Sequence, residues 1–233
     1  MKDIINKKER GITLIALVIT IIVLLILAGV AIAMLSGENG ILKKAAEAKT
    51  ETEKGQEKEK TALATAEFTT YFLTNNMKYK CSNGYITGFT DEETVGKFEE
   101  KLEPLGYKVV SRYQYNDSIN KIEEVQIEED EKTNMKMATG MSIQKDGKTV
   151  ARTVIYGDVD GDGLVDGSDV TFLEIYKSGD IDISDSVKIS MDVNGDSKIN
   201  ETDLNLLNEY TLYGNGEIDQ NRYALNPDKI VIE

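Results

Sequence analysis

The chain has no histidine, one cysteine and two prolines among its 233 residues. Without histidine there is no Ser-His-Asp or Cys-His catalysis, no imidazole-ligated zinc and no imidazole pH switch. Cys81 by itself closes no intramolecular disulfide and builds no multi-cysteine metal cluster. Pro104 and Pro227 do not amount to a proline-rich linker. Bases are scarce as well: 27 Lys and Arg face 41 Asp and Glu, a net charge of −14. That balance argues against nucleic acid as a partner.

The shortage of bases is local. Residues 1–155 carry 22 bases and 23 acids, whereas residues 156–233 carry 5 and 18, a net of −13. An acidic stretch poor in apolar residues stays disordered. This one carries Val165, Phe172, Leu173, Ile175, Ile199, Leu204, Leu206 and Leu207 at ordered spacings. A folded acidic module is therefore expected, and something must offset its self-repulsion.

Near the other end charge disappears. Ile12–Leu35 is a run of 24 uncharged residues. At ~1.5 Å rise per residue a helix of that length spans ~36 Å, enough to cross a bilayer core. Lys7, Lys8 and Arg10 precede it and place the amino terminus on the cytoplasmic side. The expectation is a single membrane span at 12–35 with the carboxyl-terminal part outside the cell. A helix-weakening stretch, Ser36-Gly37-Glu38-Asn39-Gly40, follows. Helix signals resume from Ile41 to about Leu73. Lys43–Glu47 and Lys49–Glu53 lie four apart, as ion pairs on a solvated helix do. From Leu63 an apolar stripe of Leu63, Ala66, Thr70 and Leu73, with Phe68, Tyr71 and Phe72 beside it, marks the part that packs under a globular head.

Residues 77–153 read as a small α+β module. Tyr85–Phe89, Tyr107–Val110, Ser142–Gln144 and Thr149–Ile155 are strand candidates, the last two joined by a Lys145-Asp146-Gly147-Lys148 turn. A helix is expected from Thr90, as its cap, through Val95, Phe98 and Leu102, stopped by Pro104 and Gly106. The segment contains no nucleophile elbow, P-loop or zinc motif, and no carboxylate pair stands out as an acid–base couple. No enzyme is expected.

The strongest pattern is an internal repeat. Asp158-Val159-Asp160-Gly161-Asp162-Gly163-Leu164-Val165-Asp166-Gly167-Ser168-Asp169 recurs 34 residues later as Asp192-Val193-Asn194-Gly195-Asp196-Ser197-Lys198-Ile199-Asn200-Glu201-Thr202-Asp203. Side-chain oxygens stand at loop positions 1, 3, 5, 9 and 12 of both copies, and position 7, Leu164 or Lys198, offers a carbonyl. Calcium, a hard cation that takes 6–8 oxygens, fits a ligand set without histidine or thiolate. Two ions are expected. The metal candidates are Asp158, Asp160, Asp162, Leu164, Asp166 and Asp169, and Asp192, Asn194, Asp196, Lys198, Asn200 and Asp203. Apolar Val165 and Ile199 at position 8 are placed to bridge the paired loops.

Position 12 is Asp, not the long Glu of sensor loops, and no helix enters the first loop. Each loop leads into a helix: Val170, Phe172, Leu173 and Tyr176 match Leu204, Leu206, Leu207 and Tyr210 at the same offset. Duplicated loop–helix units of this kind resemble a type I dockerin. The resemblance implies an all-α domain over 154–233 with paired EF-hand-like loops. It also implies a cohesin-like or other surface partner and an association with polysaccharide breakdown. Family partner contacts near positions 10 and 11 fall here on Gly167, Ser168, Glu201 and Thr202.

Two further resemblances concern the rest of the chain. Lys7-Lys8-Glu9-Arg10-Gly11-Ile12-Thr13-Leu14-Ile15 resembles the leader junction of type IV prepilins and pseudopilins. It implies a leader at 1–11, cleavage after Gly11 by a prepilin peptidase, methylation of Ile12, a stalk at 36–76 and other pilins as partners. The family's usual glutamate at the fifth mature residue is Ala16 here, which points to a minor or non-polymerising pilin-like protein. Tyr85-Ile86-Thr87-Gly88-Phe89, Thr94-Val95 and Thr139-Gly140-Met141 resemble a module found before dockerins in surface proteins of Gram-positive anaerobes. The fold class expected for the whole is α+β: a long amino-terminal helix, a small α+β module and the dockerin-like unit.

Overall fold

The computed structural model describes residues 14–36, 40–75, 77–90, 92–116, 121–179, 183–214 and 217–233. The expected leader, with Gly11 and Ile12, lies outside the described residues. The chain divides into two compact units, Met1–Lys58 and Glu59–Glu233.

In the first unit, helix α1 covers Leu14–Ser36. Its span Ile15–Leu35 has a mean hydropathy of 3.3 and buries none of its surface against the chain, so it is long and apolar enough to cross a membrane. Helix α2 begins at Ile41 and runs to Thr74, across the division between the units. Its early part is almost wholly solvated, and the Lys49–Glu53 pair forms at 3.8 Å.

In the second unit the last turns of α2 join a mixed fold. The buried face is Phe68 and Phe72, one turn apart, with Ala64 beside them; Leu63 and Leu73 are exposed. The aromatic rings decide the face. Phe68 meets Phe72 at 4.7 Å and the edge of Tyr107 at 5.0 Å between ring centres, contacts that add to their large buried area. Strands β1 (Lys80–Ser82) and β2 (Tyr85–Thr87) form a short hairpin, and Gly88 at φ 93° ends β2. Helix α3 is Val95–Leu102. Its cap is Thr94, not Thr90, because Glu93 turns inward to meet Lys78, Lys101 and Tyr79. Val95, Phe98 and Leu102 are buried, as their helical spacing requires.

Strands β3 (Lys108–Asn116) and β4 (Lys121–Gln126) follow, then β5 (Ser142–Lys145) and β6 (Lys148–Thr153). Asp146 and Gly147 both take positive φ, 52° and 73°, the two-residue turn that suits a tight hairpin. The sheet order is β1-β2-β6-β5-β3-β4, antiparallel except for β2 and β6. Phe68, Ile86, Phe98, Leu102, Met137, Met141 and Ile143 fill its core.

β6 leads into α4 (Gly167–Lys177), α5 (Asp185–Met191), strand β7 (Lys198–Ile199), α6 (Glu201–Tyr213) and strand β8 (Val231–Ile232). The expected all-α carboxyl-terminal unit is corrected here. β7 and β8 pair in parallel, Ile199 opposite Ile232. The cause is non-local: the tail returns to the second loop, so Val231 N–H donates to Ser197 O and Glu233 N–H to Ile199 O, each at 3.0 Å. Ile199 thus pairs with the tail, and Val165 packs against the same core as Ile199. A second core gathers Val154, Tyr156, Leu173, Ile189, Met191, Ile199, Leu207 and Ile230.

Candidate metal centre

Each repeat begins in a tight, acid-lined loop and ends in a helix capped by its own loop. In the first, Asp158 is fully buried. Its Oδ1 accepts from Gly161 N–H (3.0 Å) and Gly163 N–H (3.3 Å). Asp160 Oδ1 accepts from Asp162 N–H (3.1 Å), and Asp162 Oδ1 from Leu164 N–H (2.7 Å). Asp169 closes the loop: one oxygen accepts from Val159 and Asp160, the other from Asp166 N–H (2.8 Å). Asp166 in turn caps α4 through Ser168 N–H (2.8 Å).

The second loop repeats this wiring 34 residues on. Asp192 Oδ1 accepts from Gly195 (2.8 Å), Asn194 Oδ1 from Asp196 (2.8 Å), and Asp196 Oδ1 from Lys198 (2.9 Å). Asp203 accepts from Asn194 and Asn200, and Asn200 caps α6 through Thr202 N–H (2.8 Å). Such turns force left-handed backbone: Gly161 and Gly163 in one loop, Gly195 and Ser197 in the other. Ser197, at φ 69°, is the position where glycine would be less strained.

Electrostatically the arrangement is incomplete. Carboxylate oxygens of Asp158, Asp160 and Asp162 lie within 4.8 Å of one another. Burial pushes Asp158 well above the usual carboxylate range and lifts Asp160, with the Asp162 charge adding to it. Burial likewise brings Asp169 to about 7 and Asp203 to about 6. Only Asp166, held by its bonds from Ser168, is lowered. Among the described residues no lysine or arginine forms an ion pair with the five acids of the first loop. Like charges at this spacing, one buried, one half-buried and one exposed, are offset by a cation, and an all-oxygen set selects a hard one. Asp158, Asp160, Asp162, Asp166 and Asp169, and Asp192, Asn194, Asp196, Asn200 and Asp203, are the side chains that would hold it.

Residues 156–212 match the Dockerin type I domain. No curated protein and no solved structure matches the chain. Dockerin domains bind calcium, the kind of hard cation that the loops' oxygen set selects, and attach to cohesin domains.

The four residues expected at the partner surface fall in two places. Gly167 opens α4 and Glu201 opens α6, with exposed Ser168 and Thr202 next to them. Lys177, the last residue of α4, pairs with Glu201, so the carboxyl end of α4 meets the amino end of α6, and Gly167 and Ser168 lie the length of α4 away from that meeting point.

Two contributors escaped the repeat pattern because they lie outside it. Thr139, from the middle module, donates its N–H to Asp158 Oδ2 at 2.6 Å. Arg222, from the tail, donates Nη2–H to the Asp192 carbonyl at 2.8 Å and lies 3.9 Å over the Tyr156 ring. Gly195 stands at φ 80°, where a side chain would be strained, and Arg222 Nη1 lies 2.0 Å from where its Cβ would be. The one available signal was that Arg222 is among only five bases in residues 156–233.

Proposed function

We propose that the chain is a membrane-anchored cell-surface protein that displays its dockerin domain outside the cell. There two calcium ions shape the domain for attachment to a cohesin domain. The observation that carries this reading is the wiring shared by the two loops, in which the bonds at positions 3, 5 and 12 recur at an offset of 34. Helix α1 supports the anchor by length and hydropathy. A cation accounts for the converging acids of the loops, which supports a role in attachment.

The leader junction at residues 7–15 supports processing between Gly11 and Ile12 by a prepilin peptidase. Ala16 supports a minor, pilus-associated protein over a major filament subunit. Co-expression with such a peptidase tests this: a product still carrying residues 1–11 would refute it.

The attachment reading is tested by retention of the full chain, in detergent, on an immobilised cohesin domain from the same organism. Retention in calcium and release by chelator is the expected result. Calcium binding without retention would leave the second reading, a calcium-stabilised structural unit in a pilin-like protein. What favours that reading is the burial of Asp158 against the Thr139 amide of the middle module.

A further inference from the structure

The two loops share a repeat but differ at the first ligand. In the second loop both oxygens of Asp192 are satisfied from within: Oδ1 by Gly195 and Asp196 N–H, Oδ2 by Ser197 N–H at 2.8 Å. In the first loop Asp158 Oδ2 accepts from Thr139 N–H, 19 residues upstream in the middle module. The neighbouring approach is just as close. A Cβ on Gly163 would stand 2.7 Å from Met137 O, and one on Gly161 would stand 3.1 Å from Thr139 O. The floor of the first loop is therefore the segment 136–140.

That segment is itself firmly held. Thr139 is fully buried, and its Oγ1 both donates to Ile155 O and accepts from Ile155 N–H, each at 3.1 Å. Gly140 N–H donates to Thr153 O (2.9 Å), Thr153 Oγ1 donates to Ala138 O, and Met137 N–H donates to Glu93 O (2.9 Å). A continuous set of bonds thus runs from α3's entry and β6 to the first ligand of the first loop.

We infer that the first calcium loop is completed by the middle module, with Thr139 as its positioning residue, whereas the side chain of the second loop's first ligand is held from within its own loop. The inference rests on the calcium reading above. An amide aimed at a carboxylate makes a charge-assisted bond and holds the Asp158 side chain in one orientation toward the loop. By linkage, whatever the segment contributes to calcium binding, calcium returns to the segment as stability. Among the described residues the side-chain oxygens of Asp192 accept no such bond from the middle module, which reaches this loop through Arg222, bonded to Thr87 and to the Asp192 carbonyl.

The test uses the full chain in detergent micelles, with calcium alone as the probe. Hydrogen exchange is followed in peptides covering 136–141. Calcium is expected to slow exchange there in the native chain and in D196N, which weakens the second loop. It is expected not to do so in D160N/D162N, which weakens the first. Thr139→Val keeps the amide and the shape but loses both hydroxyl bonds. Calorimetric titration should show the first site weakened about tenfold and the second unchanged. Calcium binding with no change of exchange in 136–141 would overturn the inference and leave the calcium reading intact. So would equal loss at both sites in Thr139→Val. No calcium binding at all would overturn both.

Discussion

Replacing Glu93 with glutamine offers a quantitative test of how the middle module is held. The Glu93 carboxylate is only 5% exposed and accepts from Lys101 Nζ at 2.6 Å, Lys78 Nζ at 2.8 Å and the Tyr79 hydroxyl. Glutamine keeps the shape but turns one acceptor into a donor facing an ammonium group. Two charge-assisted bonds are lost, each of about 1.5–3 kcal/mol. Part returns because an uncharged group is less costly to bury, and because Lys78 and Lys101, more than 40% exposed, can turn to water. A net loss of about 2–3 kcal/mol is expected. At about 2–4 °C per kcal/mol for a unit of this size, the melting midpoint should fall by about 4–12 °C. The pH dependence sharpens the test. Burial alone would raise the Glu93 carboxyl, but the bonds from Lys101, Lys78 and Tyr79 outweigh it and hold it below 4.5. Its stabilisation is therefore present above the unfolded value and lost as pH falls through the lower folded value. Melting curves of E93Q and the native chain, in saturating calcium, should be far apart at pH 7 and draw together as pH falls below the ordinary carboxylate range. A gap that is absent at pH 7, or that widens toward acid pH, would refute the reasoning.

Chelating calcium should lower the midpoint of the full chain. A site held at 100 times its dissociation constant contributes about 2.7 kcal/mol, read by calorimetry with and without chelator. Gly140→Ala should destabilise by about 2–4 kcal/mol in denaturant titration: its φ is +88° and a Cβ would lie 2.0 Å from Tyr113 Cδ2. Arg222→Met should cost about 1–3 kcal/mol through the lost bond to Asp192 O and the lost contact with the Tyr156 ring. It should weaken the second calcium site in titration more than the first. Deleting residues 14–36 should move the protein from the membrane fraction to the soluble fraction, as judged by immunoblotting.

What could be read from the sequence is what depends on neighbours along the chain. The calcium loops were legible because their ligands and caps sit within twelve consecutive residues, and repetition doubled the signal. The Asp146-Gly147 turn and the buried positions of α3 followed for the same reason. Contacts set by distant segments were not legible. β7 looked like part of a loop until Ile232 met Ile199, and β4 carries mostly exposed residues with no apolar alternation to announce it. On α2, Leu63 and Leu73 looked as apolar as Phe68 and Phe72. Only the positions of Tyr107 and Tyr79 across the core choose between the two faces. Thr139 has no local mark of its role, since its contribution is a backbone N–H.

The single cysteine lies on β1, opposite Ile86, 4% exposed and with its sulfur 3.3 Å from Thr69 Oγ1 on α2. Burial pushes its thiol upward and away from the reactive thiolate. A thiol-directed dye therefore has one target in the whole molecule, and reaches it only when the packing of β1 against α2 opens, by movement of either element. When the dye reacts faster than the packing recloses, the labelling rate becomes the rate of that opening. The chain thus carries its own clock for the local opening of its first core, readable without any engineered label.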